Sequence, residues 1–193
     1  MPEEAEVETA KLREAGHEER ERGADRFLKQ IALTTAVLAA LASVASLKAG
    51  STVNEALALK TDATHLRAEA SDQWAYYQAK SVKAAVEEAS RSSWLAVGKE
   101  PPAQYEARIK RYQDEQRQIE YRAREKERES HEKQDEAEEL MDRHHGFAAA
   151  VALFQVSIAL GAVAALTRTR MVWLASLLMG SAGAAILLWR LIR

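Results

Sequence analysis

The chain contains no cysteine. That excludes disulfide staples, thiolate metal sites and cysteine nucleophiles, and it fits any redox compartment. Only 3 prolines and 8 glycines occur in 193 residues, so little interrupts a helix. Aromatic residues make up 6%, and β-branched residues are modest, which leaves little material for a sheet. A formal net charge of −2 supplies no basic excess to hold nucleic acid. There is no phosphate-binding GxxxxGK[ST] loop, no GxGxxG after a strand and no GxSxG elbow. The groups left for acid–base or metal chemistry near neutral pH are five histidines. His17 lies in an acidic N-terminal segment and His65 stands alone. His131-Glu132 lacks the second histidine that a zinc-protease helix carries four residues on. His144 and His145 are adjacent, so on a helix they diverge by about 100° and are poorly placed to share an ion. Solvated or interfacial histidine is expected for each. The expectation is of no enzyme, no cofactor, no metal site and no small-molecule substrate.

What the chain does have is segregation. The mean hydropathy of −0.35 averages very polar blocks with very apolar ones. No charged residue lies between Lys29 and Lys48, none in residues 146–167, and none between Arg170 and Arg190. Each stretch makes a helix of about 27–33 Å, against a hydrocarbon core of roughly 30 Å. Three transmembrane helices are therefore expected, at residues 27–47, 146–167 and 171–189. Trp173 and Trp189 lie near opposite ends of the third, where aromatic anchors sit. A cleaved signal peptide is the rival reading of the first stretch, with Ser43-Val44-Ala45 as a cut site. The preceding 26 residues are acid-rich rather than a short basic leader, so an uncleaved anchor is expected.

Small residues recur every four positions: Ala32, Ala36 and Ala40; Ser157, Gly161 and Ala165; Ser176, Gly180 and Ala184. Such stripes let helices approach closely in lipid, although abundant alanine and glycine produce them by chance as well. Gln155 falls near the middle of the second span, where an unpaired amide is costly, and is expected to hydrogen-bond a neighbouring helix. Gln155, Gly161 and Gly180 are the candidate intramembrane helix contacts.

Residues 48–145 join the first two spans. Gly98-Lys99-Glu100-Pro101-Pro102 is the break: glycine ends a helix and proline starts the next. The arms on either side are nearly equal, roughly 65–75 Å each as helices. The second arm carries a 4-3 repeat through Tyr105, Ile109, Tyr112, Gln116, Ile119, Ala123, Lys126, Ser130, Lys133, Ala137, Leu140 and His144. The first reads the same way through Leu59, Ala63, Leu66, Ala70, Gln73, Tyr77, Lys80 and Ala84. Both are imperfect coiled-coil seams with polar interruptions. The expected fold is all-α: an integral membrane protein with three transmembrane helices and a long antiparallel, coiled-coil-like hairpin between the first and second. Residues 1–26 form a polar N-terminal tail, 168–170 a basic loop and 190–193 a C-terminal tail. So polar a hairpin buries little apolar area, and association with another copy or another protein would add to it.

Ser71-Asp72-Gln73-Trp74-Ala75-Tyr76-Tyr77-Gln78-Ala79-Lys80 is the most unusual polar stretch. Gln73, Trp74, Tyr76, Tyr77 and Lys80 form the candidate interaction surface, because aromatics carry interface energy. Packing between the arms explains the same residues and is favoured.

Arg13, Arg20, Arg22, Arg26, Lys29, Arg168 and Arg170 fall on one side of the three spans, against Arg190 and Arg193 on the other. The positive-inside rule then puts the N-terminus in the cytoplasm and the hairpin outside.

Together with Lys80-Ser81-Val82-Lys83, the tryptophan–tyrosine stretch resembles the signature of an uncharacterised bacterial membrane-protein family catalogued as domain of unknown function 4337. Leu153-Phe154-Gln155-Val156-Ser157-Ile158-Ala159 and the turn Thr167-Arg168-Thr169-Arg170 before Trp173 fit as well. The resemblance covers residues 27–193. It implies the membrane architecture and carries no activity or functional residue with it. The expected role is a non-enzymatic structural or interaction protein of the bacterial inner membrane, whose hairpin mediates self-assembly or docks a membrane or periplasmic partner. The alternative is an accessory or pore-forming subunit of a channel or transport complex.

Overall fold

The computed structural model describes the backbone of residues 2–192 and the side chains of residues 23–192. His17, Arg13, Arg20, Arg22 and Arg193 therefore lie outside the described residues as far as their side chains are concerned. Among the described residues all regular structure is helical: α1 Pro2–Ala96, α2 Ala103–Thr167 and α3 Arg170–Ile192. Hydropathy changes sharply at Lys48 and again near Gly146, but the backbone does not. The apolar stretch and the polar arm after it are one helix in α1, and the second arm runs into its apolar stretch within α2. No proline occurs inside either helix after its first residue. Gly50 and Gly146 are helical, and an interior glycine costs only about 1 kcal/mol relative to alanine.

The break comes at the glycine–proline segment. The Gly98 and Lys99 amides donate to the carbonyls of Leu95 and Trp94, each at 3.0 Å. With Gly98 at φ 69°, this is a Schellman C-cap, which satisfies carbonyls a helix end otherwise leaves open. Pro101 and Pro102 cannot prolong α1, and the Tyr105 amide donates to Pro102 O to begin α2. Between α2 and α3 the reversal uses Arg168, at φ 52°, in the left-handed region that L-residues rarely adopt. The short Arg168-Thr169 link leaves no room for a longer loop.

Residues 1–53 and 141–193 form one compact unit, residues 54–140 another. In the first, Leu38, Ala45 and Ala49 from α1 pack with Phe147, Ala150 and Phe154 from α2 and Leu187 from α3. A second group joins Phe27 and Ile31 to Ala164 and Trp173, with the Phe27 and Trp173 rings edge to face at 5.7 Å. Helices approach where side chains are small. Ser157 Oγ donates to Ser176 O at 2.5 Å and Ser176 Oγ donates to Ser157 O at 2.8 Å. Such reciprocal side chain to backbone bonds form only when two helices nearly touch. A Cβ on Gly180 would stand 2.5 Å from Leu38 Cδ2, and one on Gly183 3.3 Å from Ala150 O.

All three helices carry a stretch long and apolar enough to cross a membrane. Only 17%, 28% and 22% of those stretches are buried inside the protein, and the outward face includes Leu33, Leu47, Leu174 and Leu178. An outward face of leucines is compatible with a membrane protein.

Candidate functional site

The unit formed by residues 54–140 is a hairpin of two helical arms, and its sequence pattern dictates how they pair. Ala56, Ala63 and Ala70 are buried at seven-residue intervals on the first arm. Ile109, Ile119, Ala123, Ser130 and Ala137 are buried on the second, at positions of its 4-3 repeat. Between them Leu59, Leu66, Gln73, Tyr77, Lys80 and Ala84 are half-buried. Alanine at the deepest positions brings the backbones together, as Ser130 Oγ shows by donating to Ala63 O at 2.8 Å. Polar contacts repeat the same antiparallel register. Arg67 meets Gln134, and Trp74 meets Glu127; Lys80 meets Glu115, and Glu87 meets Arg108. In both sets a step of seven residues up one arm is a step of seven down the other.

Of the five candidate surface residues, Trp74 and Lys80 contact the second arm, and Gln73 and Tyr77 are half-buried. Trp74 Nε1 donates to Glu127 Oε1 at 2.8 Å, and the Trp74 and Tyr77 rings meet edge to face at 5.6 Å. Lys80 Nζ lies 2.5 Å from Glu115 Oε2, 5.0 Å from the centre of the Tyr76 ring and 5.6 Å from that of Tyr112. The Glu115 carboxylate, and after it Tyr76, holds the Lys80 pKa above its ordinary value; the ammonium in turn lowers that of Glu115. Lys126 is raised in the same way by Glu129 and Glu69. Gln73 is half-buried, while Tyr76 is 51% exposed. The aromatic stretch thus knits the arms together and leaves Tyr76 as its outward part.

The outward face of the first arm carries a different signal. Ala75, Ala79, Val82, Val86 and Ala89 are all exposed, Val82 at 63% and Val86 at 59%. Their spacing is 4-3-4-3, the same repeat as the inner seam, and nothing among the described residues covers them. Sequence reasoning missed this second stripe. The signal was present, two residues out of phase with the inner seam, but periodicity alone does not say which stripe an intramolecular partner will occupy.

Among the described residues no group of three or more His, Asp or Glu is placed to hold a metal ion. His65 Nε2 pairs with Glu69 at 3.2 Å, and His131 lines an open groove of about 290 Å³ with Arg67, Ser71, Trp74 and Glu127. In the other unit, His144 Nδ1 lies 2.9 Å from Ala49 O and its ring 5.7 Å from that of His145. Arg190 pairs with Asp142 at 2.7 Å and runs over Gly146, where any side chain would collide with it.

Of the candidate intramembrane contacts, Gly161 lies against Thr35 and Ser176, and Gly180 against Leu38 and Ser157. Gln155 makes no hydrogen bond to another helix of this chain among the described residues. It is exposed, because the inward side of α2 at this level is taken by Phe154 and Ser157. Comparison with characterised proteins and with solved structures gave no match. Residues 27–193 match the family described as domain of unknown function (DUF4337), which spans both units and both stripes of the hairpin; the chain belongs to that family.

Proposed function

We propose that this is a non-enzymatic interaction protein of the bacterial inner membrane, whose hairpin docks an amphipathic helix of a partner protein. The observation that carries this reading is the outward stripe Ala75, Ala79, Val82, Val86 and Ala89. Isolated exposed valines are ordinary on a protein surface. Five small or apolar residues in unbroken heptad spacing are not, because that spacing is what a second helix needs to seat knobs into holes. The partner is a helix rather than a strand or a small molecule, since the stripe is long, narrow and convex.

Energetics support the same reading. The hairpin's own seam is mostly alanine, and a buried methyl contributes on the order of 0.8 kcal/mol, against about 1.5–3 kcal/mol for a leucine side chain. Most of its ion pairs are exposed ones, worth about 0–1 kcal/mol each. Two arms held this lightly gain stability from a third helix laid along the outer stripe, packed as in a coiled coil. Three apolar helices support the inner-membrane reading, and the positive-inside rule favours a periplasmic hairpin.

A photo-activated crosslinking residue at Val82 or Val86, in the full chain in native membranes, tests the proposal. One discrete protein adduct is expected, lost when the other valine is changed to lysine. An adduct of twice the chain's mass would make the occupant a second copy instead. No adduct at either position would end the docking reading.

A further inference from the structure

The polar side chains of the apolar stretches mostly find acceptors close by. Thr34 Oγ1 donates to Gln30 O at 3.0 Å, Ser43 Oγ to Ala39 O at 2.9 Å, and Ser181 Oγ to Leu178 O at 2.8 Å. Ser157 and Ser176 serve each other, and Trp173 Nε1 donates to Thr34 Oγ1 at 3.3 Å. The Thr35 and Ser46 hydroxyls make no such bond among the described residues, and Gln155 leaves open the larger polar group, an amide with both donor and acceptor. It is exposed, and its carboxamide makes no hydrogen bond among the described residues.

Its depth makes that costly. Along α2, Gln155 is about 14 Å from Gly146 and about 18 Å from Thr167 at 1.5 Å per residue, close to the midplane of a roughly 30 Å hydrocarbon layer. A glutamine is too short to snorkel from there as a lysine or arginine does. An amide exposed to lipid at that depth has no water to bond.

We propose that α2 of two copies of this chain meet in the membrane, with their Gln155 carboxamides hydrogen-bonded to each other. The inference rests on reading the three helices as membrane spans. Copies of one chain insert in one orientation, so a two-fold axis along the membrane normal brings a residue to its own counterpart at the same depth. Most polar groups are poor partners for themselves. A carboxamide is a good one, because it carries both a donor and an acceptor. The surroundings allow the approach: Ala152 and Ala159 are exposed about one turn to either side, and small neighbours let helices come close enough for short side chains to bond. The outward face of α3 exposes Leu174, Leu178 and Leu188, and the hydroxyl of its exposed Ser181 is already bonded to Leu178 O, so it leaves no unpaired donor for a neighbour.

The chain has no cysteine, so single cysteines report proximity without background. Ala152→Cys, Ala159→Cys and Leu178→Cys are compared by oxidative crosslinking of the full chain in native membranes. The first two are expected to give a disulfide-linked dimer and the third not. Adding Gln155→Leu should lower the dimer yield roughly 3- to 30-fold, the range of an interhelical hydrogen bond in lipid; Gln155→Asn, which keeps the amide, should retain part of it. Gln155 faces outward, so leucine there leaves the packing within the chain intact. Equal crosslinking at all three positions, a yield indifferent to Gln155→Leu, or an adduct to a different protein would each overturn the dimer. Alkaline carbonate extraction separates the two levels. Chain released to the supernatant would remove the membrane reading itself, whereas chain retained in the membrane without the Ala152 and Ala159 crosslinks overturns only the dimer.

Discussion

At the scale of single residues, the hairpin is held by small contacts, and one of them gives it a pH dependence. Lys80 and Glu115 shift each other's pKa in the direction that favours both charges. A lysine whose folded pKa is raised contributes stability that is complete below its unfolded value of about 10.5 and is lost as pH rises through the folded value. A carboxylate whose folded pKa is lowered contributes stability that is complete above about 4.5 and is lost as pH falls through the folded value. The pair therefore stabilises the hairpin fully only between those limits. Many other carboxylates titrate in the same acid range, so the wild-type curve alone decides nothing. The comparison does: thermal melts of helical circular dichroism should fall less steeply below pH 4.5 in Glu115→Gln than in wild type. Equal acid slopes would show that the pair does not couple to folding. Lysine at a seam position was legible as a polar interruption. Its place between the Tyr76 and Tyr112 rings was not, because Tyr112 comes from the other arm and only the register brings it there.

At the scale of elements, the turn was the most legible feature of the chain and the helix boundaries the least. Gly98 and the two prolines announce a stop and a start by backbone chemistry that needs no tertiary context. The 4-3 repeats of both arms correspond to the buried and half-buried residues of the hairpin, since alternate spacing of three and four is what keeps residues on one helical face. Span boundaries, by contrast, were read from hydropathy, and hydropathy marks a change of surroundings that a continuous helix passes through without a break. The turn also sets a clean test. A Cβ at Gly98 would meet nothing within 4 Å, so the cost of substitution there comes from its positive φ alone. Gly98→Ala should destabilise the hairpin by about 1 kcal/mol and Gly98→Asn by less, because asparagine tolerates the left-handed region better. Limited proteolysis near residue 98, compared with melts of the full chain, reads the difference. Equal tolerance of both substitutions would mean the turn relaxes to another conformation.

At the scale of the whole molecule, orientation rests on arginine and lysine. All the short flanks of the first unit's apolar stretches bear on it: Arg26, Lys29, Arg168 and Arg170 against Arg190, with the 48–145 connection too long to count under the rule. A connection of that length translocates largely regardless of its own charge, so the near-balance of acids and bases along the hairpin carries no weight. The Arg168-Thr169 link fixes α2 and α3 as neighbours that run in opposite senses. If all three stretches span, the N-terminal flank and this link share a side, and the Gly98 turn lies on the other. An alkaline phosphatase reporter, active only outside the cytoplasm, should therefore be active when fused at Gly98 and inactive when fused at Arg168. The reverse pattern would turn the molecule over, put the outward stripe of Val82 and Val86 in the cytoplasm, and move the search for its partner there. Activity at both positions would mean that one of the three stretches does not cross, and the Ala-rich first stretch, with the lowest hydropathy of the three, would be the one to examine. The Gln155 dimer survives an inverted topology, since the two-fold axis requires only that every copy insert alike, whereas the identity of the docked helix does not.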